Sequence, residues 1–314
     1  MEALNILIEQ LSAPKRAVEV IDLGAAEFCL ANIGADKGSR VRALSGDVLA
    51  VLCNLGPGRK SLKKCDLHPL VMCLDQEVDN DVRSSAAKAL EAFSNYRDGA
   101  SFLAEKEFLP KIVANGLATG GAENGGFPNS VIKSTAVALT NICKYRQGLR
   151  IIFESDVVEN AKKLLVQCTK SEVVLTGAEQ ATWAMLGALA VDDDAKAKCI
   201  AVGLVKLAAD ALERNEDLAE GVIRFLLMMS LCEAGKKAFV SDNAMKAVSG
   251  LLKSDIEYVR EEAKLTICGA SEYFEAKRAF VEAVLELGPD LVIWVYEDSA
   301  CSVGLLSICS RTLS

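Results

Sequence analysis

A helical segment with small residues around a central apolar residue recurs seven times in this sequence. The copies lie at 47–56, 83–93, 133–143, 179–189, 220–231, 261–271 and 299–309. We take the central residues to be Leu52, Leu90, Leu139, Met185, Leu226, Ile267 and Ile308. The last three steps between them are 41 residues each, a regularity that predicts stacked structural units sharing one continuous core.

Two shorter helical runs precede each of these segments. A medium run, such as 157–165 or 203–212, lies directly before it, and a short run, such as 149–153 or 236–240, lies before that. Each unit is therefore predicted to contain a first, a second and a longer third helix in about 41 residues. The step of 49 from Leu90 to Leu139 is longer because a Gly/Asn/Pro loop is inserted at 118–129.

The pattern is clearest in residues 150–189 and 237–271, which resemble the armadillo repeat family. The resemblance extends over about 59–314 and implies an all-α fold, a right-handed superhelical solenoid of about seven three-helix repeats. We expect one domain over 1–314, with 1–58 as a degenerate N-terminal capping repeat, because terminal repeats are atypical. Within it, 24–34 and 47–56 compete for the place of the first third helix.

The resemblance also implies a concave groove lined by the third helices. Relatives that bind extended peptides carry Trp two positions before the central residue and Asn two positions after it. Asn54, Asn141 and Trp183 are the matches in this chain, and no repeat has both residues. A nuclear-import adaptor is therefore disfavoured. We expect Trp183 to be the main binding residue of the groove, because Trp is enriched in binding hot spots.

Charged residues divide the predicted groove into two halves. Glu179, Glu220 and Glu261 stand six positions before their central residues and predict an acidic ladder, although helix N-termini favour such acids without any ligand. The other half is predicted to be basic, and Arg224 lies at the Trp position in the acidic half. The basic residues are Lys88, Lys133, Lys144 and Arg146. Solvated charge without a ligand is the alternative.

Net charge and cysteine content indicate the compartment and exclude some partners. The net charge of −8 and pI of about 5.0 disfavour nucleic acid and anionic membranes. Eleven cysteines without a CxxC pair predict buried, reduced thiols and a reducing, cytoplasmic compartment. No signal peptide or membrane span is predicted. The thiols expected to be buried include Cys53, Cys143, Cys199, Cys232, Cys268 and Cys309.

The residue types needed for catalysis are sparse. His68 is the only histidine, so a catalytic triad, a Cys-His dyad or a His-rich metal site is disfavoured, and no phosphate-binding loop is present. Asp192, Asp193 and Asp194 form a solvated turn or a loose cation site. We expect no enzyme activity, cofactor or metal.

These observations predict a scaffold or adaptor that binds an extended or helical segment of another protein. The alternatives are a structural subunit of a large cytoskeletal or axonemal assembly and a chaperone similar to the UCS family. Apolar runs at 291–296 and 303–309 motivate the subunit, since they would pack against another chain. The protein is expected to be a monomer or one subunit of a hetero-complex.

Overall fold

A computed structural model describes residues 1–76, 78–118, 129–170 and 176–287. Over these ranges the secondary structure is helical and contains no β-strand. The α-helices are α1 (Glu2–Leu11), α2 (Pro14–Asp22), α3 (Ala25–Asn32), α4 (Ser39–Asn54), α5 (Gly56–Leu62), α6 (His68–Met72), α7 (Asn80–Ser94), α8 (Arg97–Ala104), α9 (Leu109–Gly116), α10 (Asn129–Ile142), α11 (Arg146–Glu154), α12 (Val157–Lys170), α13 (Thr176–Leu189), α14 (Asp193–Ala201), α15 (Leu204–Arg214), α16 (Ala219–Ser230), α17 (Glu233–Ser241), α18 (Ala244–Gly250), α19 (Glu257–Ala270) and α20 (Phe274–Leu287). Short 3-10 helices cover Glu216–Leu218 and Leu251–Lys253.

The predicted three-helix units are present. The third helices are α4, α7, α10, α13, α16 and α19, and each is preceded by a second and a first helix, as in α14, α15 and α16. Of the two candidates for the first third helix, 47–56 falls largely within the 16-residue helix α4, whereas 24–34 contains the short helix α3. The predicted helices at 288–296 and 299–309, Cys309 and loop residues 119–128 lie outside the described residues.

A left-handed residue recurs between the first and second helices. Gly24, Asp156, Gly203 and Asn243 have φ values of 93°, 55°, 79° and 58°, and each separates a first helix from a second one. Glycine adopts this conformation without steric cost, and Asn and Asp tolerate it better than other residues. The turn between α2 and α3 thus has the same left-handed residue as the turns of later units. Helices α2, α3 and α4 therefore form a three-helix unit, and α1 precedes it in the chain.

From α5 onward, the third residue of each first helix is small because the end of the preceding third helix lies against it. A Cβ atom added to Gly58, Gly99 or Gly235 would lie 2.2, 1.9 or 1.9 Å from the carbonyl oxygen six residues earlier. At Gly148 the corresponding distance is 2.9 Å. The buried residues Ala195 and Ala276 occupy this place in α14 and α20. This position therefore aligns the repeats independently of their hydrophobic pattern.

The alignment changes two central residues that the sequence pattern suggested. Counting nine residues back from each small residue gives steps of 41, 49, 47, 40 and 41. The central residues of α4 and α13 are Leu49 and Leu186, not Leu52 and Met185. All four side chains are buried, so burial alone does not distinguish them. The aligned central residues are Leu49, Leu90, Leu139, Leu186, Leu226 and Ile267.

Three third helices carry an arginine seven positions before the central residue. Its side chain donates hydrogen bonds to backbone carbonyls of the segment that precedes the helix. Arg42 donates from Nε to the carbonyl of Ile33 at 3.0 Å, and Arg260 donates to Ser254 at 2.6 Å. Arg83 is fully buried and donates to the carbonyls of Leu74 and Asn115 at 3.3 Å each. Burial lowers the pKa of Arg83, although the charge of Asp75 opposes the shift. These bonds satisfy carbonyls that helix ends leave without backbone partners.

The chain forms two compact units, 1–185 and 186–314, and the boundary between them falls within α13. In unit 1, α4 packs along α7, and α7 packs along α10. In unit 2, α16 packs along α19. The interiors of both units are built from Leu, Val, Ile, Ala and Phe side chains. The single domain over 1–314 stays a prediction.

Candidate protein-binding surface

The third helices of unit 1 expose one face, which contains most of the predicted binding residues of that unit. In α7 and α10 this face includes the positions six and two before the central residue, about one helical turn apart. Two positions after it, α10 has Asn141 and α7 has the buried Ala92, and the position five after it lies just beyond each helix. Lys88, Lys133 and Lys144 are exposed there, and Asn141 is half-buried. Val137 lies half-buried between Lys133 and Asn141.

Asn141 is held by its neighbours. Its Nδ2 donates to Oδ1 of Asn95 at 3.1 Å and to Oγ of Ser94 at 3.4 Å. Its Oδ1 accepts a hydrogen bond from Nζ of Lys144 at 2.8 Å. The amide is therefore fixed across two repeats, and it orients the Lys144 ammonium rather than presenting an open peptide clamp. A second bond between the helices joins Oγ of Ser84 to Oγ of Ser130 at 2.9 Å.

Two arginines extend the positive charge of this face. Arg97 and Arg146 are the exposed first residues of α8 and α11, and Tyr145 joins the two helices by donating its hydroxyl to the carbonyl of Arg97 at 3.0 Å. The sequence pattern missed Arg97, although it precedes Arg146 by the same 49 residues that separate Leu90 from Leu139. We call the five residues the basic face: Lys88, Arg97, Lys133, Lys144 and Arg146.

The charges of the basic face are not neutralised within the described part of the chain. None of its five side chains forms an ion pair there. The nearby carboxylate of Asp98 accepts a hydrogen bond from Nε of Arg59 at 3.0 Å and lies 4.0 Å from Nζ of Lys63. The Arg59 guanidinium also stacks 3.6 Å from the centre of the Tyr96 ring. Asp98 is thus paired on its own side. At its Lys88 end, the basic face adjoins the carboxylates of Asp47, Asp79 and Asp81, which line one pocket with Lys88.

Two predicted binding residues are buried, and this is a correction. Trp183 is fully buried and Glu179 is 3% exposed, so neither can serve as an exposed contact of a groove. The reason is the one-residue error in the alignment of α13, because each residue turns a helix by about 100°. Gln180 and Ala184, both half-buried, stand where Glu179 and Trp183 were expected. Glu179 instead occupies the position of Arg42, Arg83 and Arg260.

Asn54 remains exposed after the corrected alignment, but its position changes. It lies five residues after Leu49, at the same place as Asn95 in α7. Its Nδ2 donates to the carbonyl of Ala50 at 3.2 Å, one turn back in its own helix. Asn54 thus belongs to the end of the exposed face and not to the position of a peptide clamp.

In unit 2, the third helices expose both charged and apolar side chains. Glu220 and Arg224 on α16 and Glu261 on α19 are exposed, as predicted. Glu261 accepts a hydrogen bond from Nζ of Lys264 at 2.8 Å, so part of its charge is neutralised within its own helix. With Glu179 buried, the predicted ladder of three acids is reduced to Glu220 and Glu261.

Large apolar side chains are also exposed in unit 2. They include Val191 (67%), Leu231 (57%), Leu265 (56%) and Phe274 (65%). Val191 and Leu231 share the position five residues after the central residue, and Leu265 stands two residues before it. Cys268 is exposed on the same helix as Leu265, which corrects its expected burial, and Cys232 is only half-buried. Cys53, Cys143 and Cys199 are buried as predicted.

The acidic residues at the start of α14 stabilise that helix. Asp192 caps it by accepting hydrogen bonds from the backbone of Asp194 and Ala195 at 3.0 and 3.1 Å. Asp193 pairs with Lys196 at 2.6 Å, which lowers the pKa of that carboxyl. His68 is exposed at the start of α6. In the described ranges, no group of three or more His, Cys, Asp or Glu residues could hold a metal, and no helix has the length and apolarity to cross a bilayer.

Comparisons with known proteins identify the architecture. No family model and no curated protein matches the sequence. Solved structures of designed proteins do match. An engineered protein superposes over 99% of this chain and 73% of its own length, with 20% identity and a TM-score of 0.75. A designed armadillo repeat protein covers 77% of this chain and 98% of its own length, with 19% identity and a TM-score of 0.63.

Another designed armadillo repeat protein, solved in complex with the peptide (KR)4, matches with 16% identity and a TM-score of 0.63. It covers 77% of this chain and 98% of its own length. At these identities the likeness concerns the fold alone. Together with the three-helix units of both compact units, it shows that the chain is an all-α solenoid with the armadillo-like repeat fold.

Proposed function

We propose that this protein is a non-enzymatic scaffold that binds a segment of another protein on the exposed face of its third helices. The main support is the exposed face of α7 and α10, where Asn141 is ordered by a hydrogen bond to Asn95 of the neighbouring repeat and by one from Lys144 of its own repeat. Side chains fixed in this way lose little conformational entropy on binding. The designed relative in complex with the peptide (KR)4 adds support, because it has the same repeat architecture.

Site-specific photo-crosslinking tests this proposal. A photoreactive amino acid placed at Val137 on α10 should crosslink a discrete protein in the native cell lysate. The control position is Lys162, exposed on the second helix α12 of the same unit. Crosslinks from Val137 but not from Lys162 would support binding on the third-helix face. The same products from both positions, or from Lys162 alone, would refute it.

The exposed apolar side chains of unit 2 favour a second candidate function, a structural subunit of a larger assembly. In such an assembly, another chain would cover the exposed side chains of Val191, Leu231, Leu265 and Phe274. Light scattering after gel filtration distinguishes the candidates. A monodisperse monomer favours the adaptor, whereas self-association that Leu231→Glu abolishes favours the subunit.

The compartment proposed for either function is the reducing cytoplasm. All nine cysteines in the described ranges are free thiols. Such a content of unpaired cysteine is typical of intracellular proteins and rare in secreted ones.

A further inference from the structure

We infer that the segment bound by unit 1 is an acidic, extended stretch of polypeptide whose Asp and Glu side chains pair with the basic face. The inference rests on the proposed function and adds the chemistry of the partner. It follows from the charges and positions of Lys88, Arg97, Lys133, Lys144 and Arg146.

In the described part of the chain, no ion pair neutralises the cations of the basic face. Elsewhere on the surface, some exposed cations pair with a carboxylate one turn away, as in Arg150–Glu154, Lys206–Asp210 and Lys237–Glu233. The five cations of the basic face form no such pair in the described part of the chain, although the protein as a whole carries a net charge of −8. A concentration of unpaired cations on an acidic protein produces a local positive potential, which attracts and orients an anionic partner.

The spacing of Lys133 and Lys144 along the chain suits an extended segment. Lys133 lies near the start of α10, and Lys144 lies in the turn two residues after its end, with its ammonium at 2.8 Å from Oδ1 of Asn141. The helix between Lys133 and Ile142 rises by about 14 Å. An extended chain of about five residues covers that distance. Between the two ammonium groups lie Val137, which offers apolar surface, and the fixed amide of Asn141. Lys88 adds a third charge on the neighbouring helix α7.

A protein segment fits this face better than a nucleic acid does. Single-stranded nucleic acid is usually held by aromatic rings on which the bases stack. None of the exposed or half-buried positions of α7 and α10 carries an aromatic ring. Tyr96, at the start of α8, already stacks with Arg59.

Fluorescence anisotropy with three labelled eight-residue peptides tests the inference on the full chain. The probes are an alternating Glu/Asp peptide, the basic peptide (KR)4 and a neutral Gly/Ser peptide. The binding variant is Lys88→Glu with Lys133→Glu and Lys144→Glu. The matched control is Lys162→Glu with Lys163→Glu and Lys170→Glu, which makes the same charge change on exposed positions of α12.

The wild type should bind the acidic peptide at least tenfold more tightly than the neutral one. The binding variant should lose at least tenfold in affinity, and the control variant less than threefold. Equal losses in both variants would show a response to net charge alone and overturn the inference. Tightest binding of the neutral or basic peptide, or tighter binding of an eight-nucleotide oligothymidylate, would overturn it as well. Crosslinking from Val137 that persists in any of these cases would leave the proposed function standing without its acidic partner.

Discussion

Replacement of Gly235 by Ala tests the close approach that aligns the repeats. Gly235 is the third residue of α17, and an added Cβ would lie 1.9 Å from the carbonyl oxygen of Met229 and 3.2 Å from the sulfur of Cys232. The first contact is with backbone, so a side-chain rotation cannot relieve it. Helix α17 would have to move away from the end of α16. The same place in α14 holds Ala195, which shows that a wider arrangement exists and limits the cost.

Two opposing effects set the change that Gly235→Ala makes in the free energy of unfolding. A Gly→Ala change inside a helix stabilises by up to about 1 kcal/mol, because alanine has the higher helix propensity. Forcing one extra methyl group into a packed site costs about 1–3 kcal/mol. A clash with backbone at 1.9 Å belongs at the upper end of that range. We expect Gly235→Ala to lower the free energy of unfolding by about 1–2 kcal/mol.

Gly250→Ala is the matched control. Gly250 ends α18 in the same unit with helical angles, φ −60° and ψ −34°, and an added Cβ would meet no atom within 4 Å. This variant should stabilise the protein by about 0.5–1 kcal/mol. Urea unfolding followed by circular dichroism at 222 nm measures both effects. A Gly235→Ala protein as stable as the Gly250→Ala protein would refute the proposed role of the small residue.

Three further predictions concern side chains outside this contact. Trp183→Ala should destabilise the protein by about 3–5 kcal/mol in urea unfolding, because the ring is fully buried; a loss within 1 kcal/mol would contradict that burial. The pKa of Glu272 is lowered by its hydrogen bond from Lys236, so the stabilisation is present above the ordinary Glu pKa and is lost as the pH falls through the lowered value. Melting temperatures should therefore fall less between pH 7 and pH 3 in Glu272→Gln than in the wild type, and parallel curves would refute the linkage. Burial raises the pKa of Cys143 to about 12, so iodoacetamide at pH 8 should modify the exposed Cys268 well before Cys143; peptide mapping showing the reverse order would contradict the exposures.

Much of the candidate surface followed from the sequence once the repeats were recognised. Lys88, Lys133 and Lys144 are exposed as predicted, because the alignment of α7 and α10 was correct. The two predicted binding residues that are buried both lie on α13. In α13 nearly every position is apolar or small, so a one-residue shift left the hydrophobic pattern intact and moved Trp183 and Glu179 from the core to an expected surface.

A better signal for the alignment was present in the sequence. The small residue nine positions after each central residue recurs in every unit from α5 to α20, as Gly58, Gly99, Gly148, Ala195, Gly235 and Ala276. Its significance was not apparent from residue types alone, since glycine and alanine occur at many other places. It becomes clear once the carbonyl oxygen of the preceding third helix is seen against it.

The sequence by itself determined the recurrence of a unit of about 41 residues and the three helices of each unit, because these depend on local spacing. The tertiary structure alone decided how each third helix is rotated. A helix packed on several sides is apolar nearly all round, so its own pattern cannot distinguish the face against its neighbours from the face toward solvent. The contact between a first helix and the end of a third helix makes that distinction, and with it decides which side chains can reach a partner.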